Sequence, residues 1–138
     1  MCAPGPRQED GRGESVMAKP YATLNYYGRN AVEYYVRLNG EAAKLLKGLP
    51  YVKVGKTKDN KYIVIEPSLQ HEGATSRKVS YRGRKATDKA AYVFVTQWVS
   101  MGFFPTEWFS GEWRKVKKDR HGRIYVCLDE LIERERKE

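Results

Sequence analysis

Hydrophobic and polar residues alternate with period two in several short runs, and helical spacing interrupts them twice. Tyr34-Tyr35-Val36-Arg37-Leu38 predicts a strand, and the stretch from Gly40 to Lys47 predicts a short helix that stops at Gly48. Tyr51-Val52-Lys53-Val54 and Tyr62-Ile63-Val64-Ile65 predict a hairpin turning through Lys56 to Asn60 and ending at Pro67. Upstream, Tyr21 to Tyr27 reads as another strand, and Gly28-Arg29-Asn30 supplies turn residues that tolerate positive φ.

The pattern then repeats. Arg77 to Tyr81 is a strand candidate, and Tyr81-Arg82-Gly83-Arg84 echoes Tyr26-Tyr27-Gly28-Arg29 at a spacing of 55 residues. Tyr92-Val93-Phe94-Val95 echoes Tyr35-Val36-Arg37-Leu38 at 57. Thr96 stands where it can cap a helix from Gln97 to Met101, stopped by Gly102. A hairpin of Glu112-Val116 and Ile124-Leu128 turns through Asp119 to Gly122, and Tyr125 falls 62 residues after Ile63. Spacings that grow slowly fit a duplicated unit with small loop insertions. The expected organisation is a disordered tail over 1–18, units over 19–67 and 77–128, a linker over 68–76, and a C-terminal helix over 129–138 capped by Asp129. Met17 is an expected native start.

The fold class implied is mainly β with short helices, α+β. A unit of one helix and a few strands cannot bury its apolar face alone, so two copies are expected to share a core. The order strand, helix, hairpin over Tyr34–Pro67 resembles the swapped-hairpin domains of the AbrB/SpoVT and MazE superfamily. Glu41-Ala42-Ala43-Lys44-Leu45-Leu46 looks like that family's helix, and Lys61 to Pro67 like its closing strand. The doubling is similar to the tandem, MraZ-like members; the chain also looks like small phage and mobile-element proteins. The resemblance implies two β-α-β-β units interlocked into one pseudo-two-fold swapped-hairpin barrel that binds DNA, as a monomer or a homodimer. The chain departs from the family pattern in carrying Asn39 where proline is usual, and in Trp98, Trp108 and Trp113 and the long second connector from Phe103 to Gly111.

Charge sharpens this picture. The net charge is +9 and the isoelectric point about 9.6, which favours a polyanionic partner. The excess is concentrated between residues 19 and 128, which carry +12. The candidate phosphate contacts are Arg29, Arg37, Arg82, Arg84, Lys85, Arg114, Lys115, Lys117, Lys118 and Arg120, most on strands or hairpin turns. Such residues suit a transcriptional regulator or antitoxin-like repressor. The alternative is a protein-interaction module of a mobile element, such as an inhibitor of a host nuclease of the anti-CRISPR type.

Catalysis has little support. His71 and His121 fall in a linker and a turn, and Glu107 and Glu112 flank an aromatic cluster without a partner set for acid–base or metal chemistry. No cofactor motif occurs, and an enzyme is not expected. The aromatics from Phe103 to Trp113 are expected to plug the core. Cys127 is expected as a small buried hydrophobe rather than half of a disulfide with Cys2. No apolar run predicts a membrane span or a secretory signal, so a cytoplasmic location is expected.

Overall fold

The structure, a computed structural model, describes residues 19–83 and 89–131. Among the described residues nine strands form one antiparallel sheet: β1 (Tyr21–Tyr27), β2 (Glu33–Leu38), β3 (Tyr51–Lys56), β4 (Tyr62–Ser68), β5 (Ser76–Lys78), β6 (Ser80–Arg82), β7 (Ala90–Phe94), β8 (Arg114–Lys118) and β9 (Ile124–Leu131). Two short helices, α1 (Gly40–Ala43) and α2 (Thr96–Ser100), follow β2 and β7. The sheet order is β5-β3-β4-β9-β8-β1-β2-β7-β6. Its two ends, β5 and β6, are separated in sequence only by Val79, whose N–H donates to the Pro50 carbonyl at 2.8 Å. The sheet therefore curls into a nearly closed barrel, which removes most free edges.

Period-two alternation points one residue in two inwards. Leu24, Val36, Leu38, Val52, Ile63, Ile65, Val93, Ile124 and Val126 are fully buried on the inner face. Each such side chain contributes roughly 1.5–3 kcal/mol by leaving water. Leu46, Trp98, Phe104 and Phe109 join the same core from the helices and connectors.

The pairing follows the internal repeat. Val36 pairs with Val93, the residue the repeat equates with it. Ala22 pairs with Arg114, and Val52 with Arg77, which stand at equivalent places in the two halves. The β3–β4 hairpin bonds outwards only to β5 and β9, and the β8–β9 hairpin only to β1 and β4. Each hairpin thus takes its neighbours from the other half of the chain.

Side chains fix the strand–helix corners. Asn39 is buried; its Oδ1 accepts from the N–H of Ala42 at 2.9 Å, capping α1, and from that of Tyr21 at 3.0 Å. Its Nδ2 donates to the Lys19 carbonyl at 2.8 Å, so Asn39 acts as a polar clamp between the start of β1 and α1. Thr96 does not cap α2. Its hydroxyl accepts from the Tyr34 N–H at 2.9 Å and donates to Glu33 at 2.8 Å, tying α2 to β2 instead.

Three expectations need correction. Asp129 does not start a helix: β9 runs on to Leu131, which pairs with Arg114, so ladder pairing overrides the local capping signal. The rest of that expected helix lies outside the described residues, as does the tail before residue 19. The linker over 68–76 is shorter than expected, because Ser68 closes β4 and Ser76 opens β5. Cys127 is buried as expected but is disulfide-bonded, a covalent link that local pattern does not encode; the chain's other cysteine lies outside the described residues.

Candidate nucleic-acid interface

Alternation that sends Val36, Leu38, Ala91 and Val93 into the core sends Tyr35, Arg37, Tyr92 and Phe94 outwards. Arg37 and Tyr92 are direct cross-strand partners, as are Tyr35 and Phe94. The Arg37 Nε donates to the Tyr92 hydroxyl at 3.2 Å, and its guanidinium stands 5.9 Å from that ring's centroid. Arg82 of β6 lies over the same ring at 4.8 Å. Two arginines from opposite halves of the sequence thus meet on one tyrosine.

The row continues across β1. Burial acts to lower the pKa of Arg37, but hydrogen bonds with the hydroxyls of Tyr92 and Tyr21 outweigh it and leave the value raised. Tyr21 pairs with Lys115 and stacks on Trp113, with ring centroids 4.0 Å apart and planes at 8°. Lys115, Tyr21, Arg37, Tyr92 and Arg82 therefore alternate cation and ring across five adjacent strands. Beside them, Tyr27 packs edge-on against Tyr35 at 5.9 Å and against Phe94 at 6.2 Å.

No protein-family model, curated protein or solved structure matches this chain. The chemistry of the face must therefore be read from its own side chains.

The remaining candidate cations divide. Lys117, Lys118 and Arg120 lie exposed on the β8–β9 hairpin and its turn. Lys117 stands 4.8 Å over Tyr62, whose ring meets Tyr125 edge-on at 5.6 Å. This second cluster borders the β4·β9 seam; round the barrel, two strands separate that seam from the β2·β7 seam on one side and three on the other. Arg29 is exposed in the β1–β2 turn. Arg84 and Lys85 lie outside the described residues.

Arg114 is not a surface contact. It is 5% exposed, and its guanidinium donates to the carbonyls of Leu128 and Trp108, both at 3.0 Å. Burial lowers its pKa, with Glu112 acting the other way. It clamps the aromatic connector to the β8–β9 hairpin. Period two could have revealed this, since Arg114 shares the inward parity of Val116, a residue packed on the core.

The connector itself plugs the barrel only in part. Phe104 and Phe109 are buried, but Phe103 is 38% exposed and carries Lys56 over its ring at 4.4 Å, while Trp113 has gone to the outer face beside Tyr21. The sites weighed for catalysis are held in local structure. His71 rests edge-on against Tyr51 at 5.8 Å, the His121 N–H donates to Asp119 at 2.9 Å, and Glu112 accepts from the Ser110 hydroxyl at 2.9 Å. Among the described residues no group of three His, Cys, Asp or Glu could hold a metal ion, and no helix is long and apolar enough to cross a membrane.

Proposed function

We propose that this chain is a small DNA-binding protein of the regulator or antitoxin-like repressor type, built as a tandem swapped-hairpin barrel. The observation that carries the reading is the convergence of Arg37 and Arg82 on Tyr92 at the outer face of the β2·β7 seam. Guanidiniums oriented by a shared ring present their donors with little further ordering, and Arg forks match phosphate oxygens bidentately. The exchange of hairpins between halves supports the swapped-hairpin architecture, as does the pairing of Val36 with its repeat equivalent. A basic core segment of net +12 supplies the long-range attraction.

Such a face grips the phosphate backbone and reads little sequence by itself. Its affinity should fall steeply with salt, as each neutralised phosphate releases counterions. Fluorescence anisotropy of labelled DNA, duplex and single-stranded, titrated with protein at rising salt, tests this. Binding at low salt that weakens log-linearly is expected; no binding at low salt, or binding indifferent to salt, would overturn the proposal.

A further inference from the structure

We infer that the β1–β2–β7–β6 face prefers single-stranded DNA to duplex, an inference that rests on the DNA-binding reading above and specifies its ligand. The argument begins with what the rings can reach. Tyr35, Tyr92 and Phe94 stand on adjacent strands, with Tyr35 5.6 Å from Tyr92 and 5.5 Å from Phe94. Tyr27 extends this group and is 53% exposed. Tyr27, Tyr35 and Phe94 form an apolar platform on a sheet face, bordered by Tyr92, whose ring lies under Arg82 and beside Arg37.

A duplex offers this platform nothing to stack on. Its bases are stacked on one another, and their edges lie at the floor of a major groove about 8.5 Å deep. The rings here lie within a strand surface and do not project as a helix or ribbon would. A single strand, by contrast, offers unpaired base faces to the rings and phosphates to the arginines. Every base has such a face, so the contact tolerates sequence.

The dimensions agree. The four strands of this face, at about 4.8 Å spacing, span roughly 14 Å, room for no more than about four nucleotides at the duplex repeat of one strand. The arginines lie along one border of the platform, where a backbone would run if its bases turned towards Tyr35 and Phe94.

The test compares a short fluorescein-labelled oligothymidylate with a labelled duplex of the same length at low salt, using the full chain. The oligothymidylate should bind about tenfold more tightly. Tyr27→Ala, at an exposed position, and Tyr35→Leu, which keeps an apolar cover, should each weaken oligothymidylate binding by about tenfold while the far-UV circular dichroism stays that of the parent. Equal or tighter binding of the duplex would overturn the single-strand preference and leave the DNA-binding reading standing. So would oligothymidylate binding unchanged in both folded variants. No binding of either probe would overturn both.

Discussion

Val36 lies opposite Val93 in the antiparallel ladder of β2 and β7, and the internal repeat sets these same two residues in register. Strand β2 of the first half and strand β7 of the second therefore meet at matching positions of the repeat. The same relation recurs on the far side of the barrel. There the pairs Ile63–Val126 and Val64–Tyr125 exchange into one another at the 62-residue spacing. Both seams join the halves, so the core is shared rather than divided between units.

Val36 and Val93 are both fully buried. Trimming either to Ala should destabilise the fold by about 1–3 kcal/mol through lost burial and residual cavity. Because the two are direct ladder partners, the double variant should depart from additivity by about 0.5 kcal/mol or more. Urea unfolding of the two singles and the double checks this. Two separate transitions in the parent would argue against a shared core.

Arg114 holds two carbonyls from inside the fold, those of Leu128 and Trp108. Arg114→Ala should cost about 3 kcal/mol or more, because both acceptors lose a charged donor. Lys115→Ala, one residue on, should cost far less. Chemical denaturation of the pair tests whether position 114 serves stability, and a small loss at 114 would contradict the placement.

The hairpin turns predict a pH response. Burial acts to raise the pKa of Asp119, but the N–H groups of Arg123 and His121, the Arg123 side chain and the Tyr125 hydroxyl outweigh it and hold the carboxyl well below its ordinary range. Asp59 shifts the same way, led by hydrogen bonding from Thr57. A group depressed in the fold stabilises it above its unfolded value, about pH 4, and that contribution is lost as the pH falls further. Thermal melts from pH 7 downwards should show this loss, and Asp119→Asn should make it shallower. Parallel profiles for parent and variant would show that the network does not act this way.

Two glycines should respond in opposite senses. Gly28 has φ +108°, and a Cβ there would come within 2.3 Å of the Ala31 carbonyl oxygen. Gly28→Ala should therefore cost about 1–3 kcal/mol and displace the turn that carries Arg29. Gly55 lies in β3 with nothing within 4 Å of an added Cβ. Gly55→Ala should be neutral or stabilising by a few tenths of a kcal/mol. Melting temperatures of the two variants check the contrast.

The strands were legible because alternation is local: Tyr51–Val54 and Tyr62–Ile65 show their parity without any partner. What depended on partners was not. Asp129 carries a good capping side chain, yet the backbone there joins β9 because β8 offers it a ladder. In the run from Arg114 to Lys118, charge does not separate the buried arginine from the exposed Lys117 and Lys118; the carbonyls of Leu128 and Trp108 that Arg114 reaches do. Tyr92 carries no local signal of a site residue, since its role comes from Arg37, 55 residues earlier, and from Arg82 on the neighbouring strand. Pairing across the chain makes that cluster.

The most direct measurement is the slope of log affinity against log salt for DNA binding by the parent, an Arg37→Ala/Arg82→Ala variant and a Lys117→Ala/Lys118→Ala variant. If the β2·β7 face holds the phosphates, the arginine variant should bind more weakly and its slope should shrink by about 2, roughly one for each lost contact. The lysine variant should stay close to the parent. An arginine variant with the parent's affinity and slope would contradict the assignment of this face.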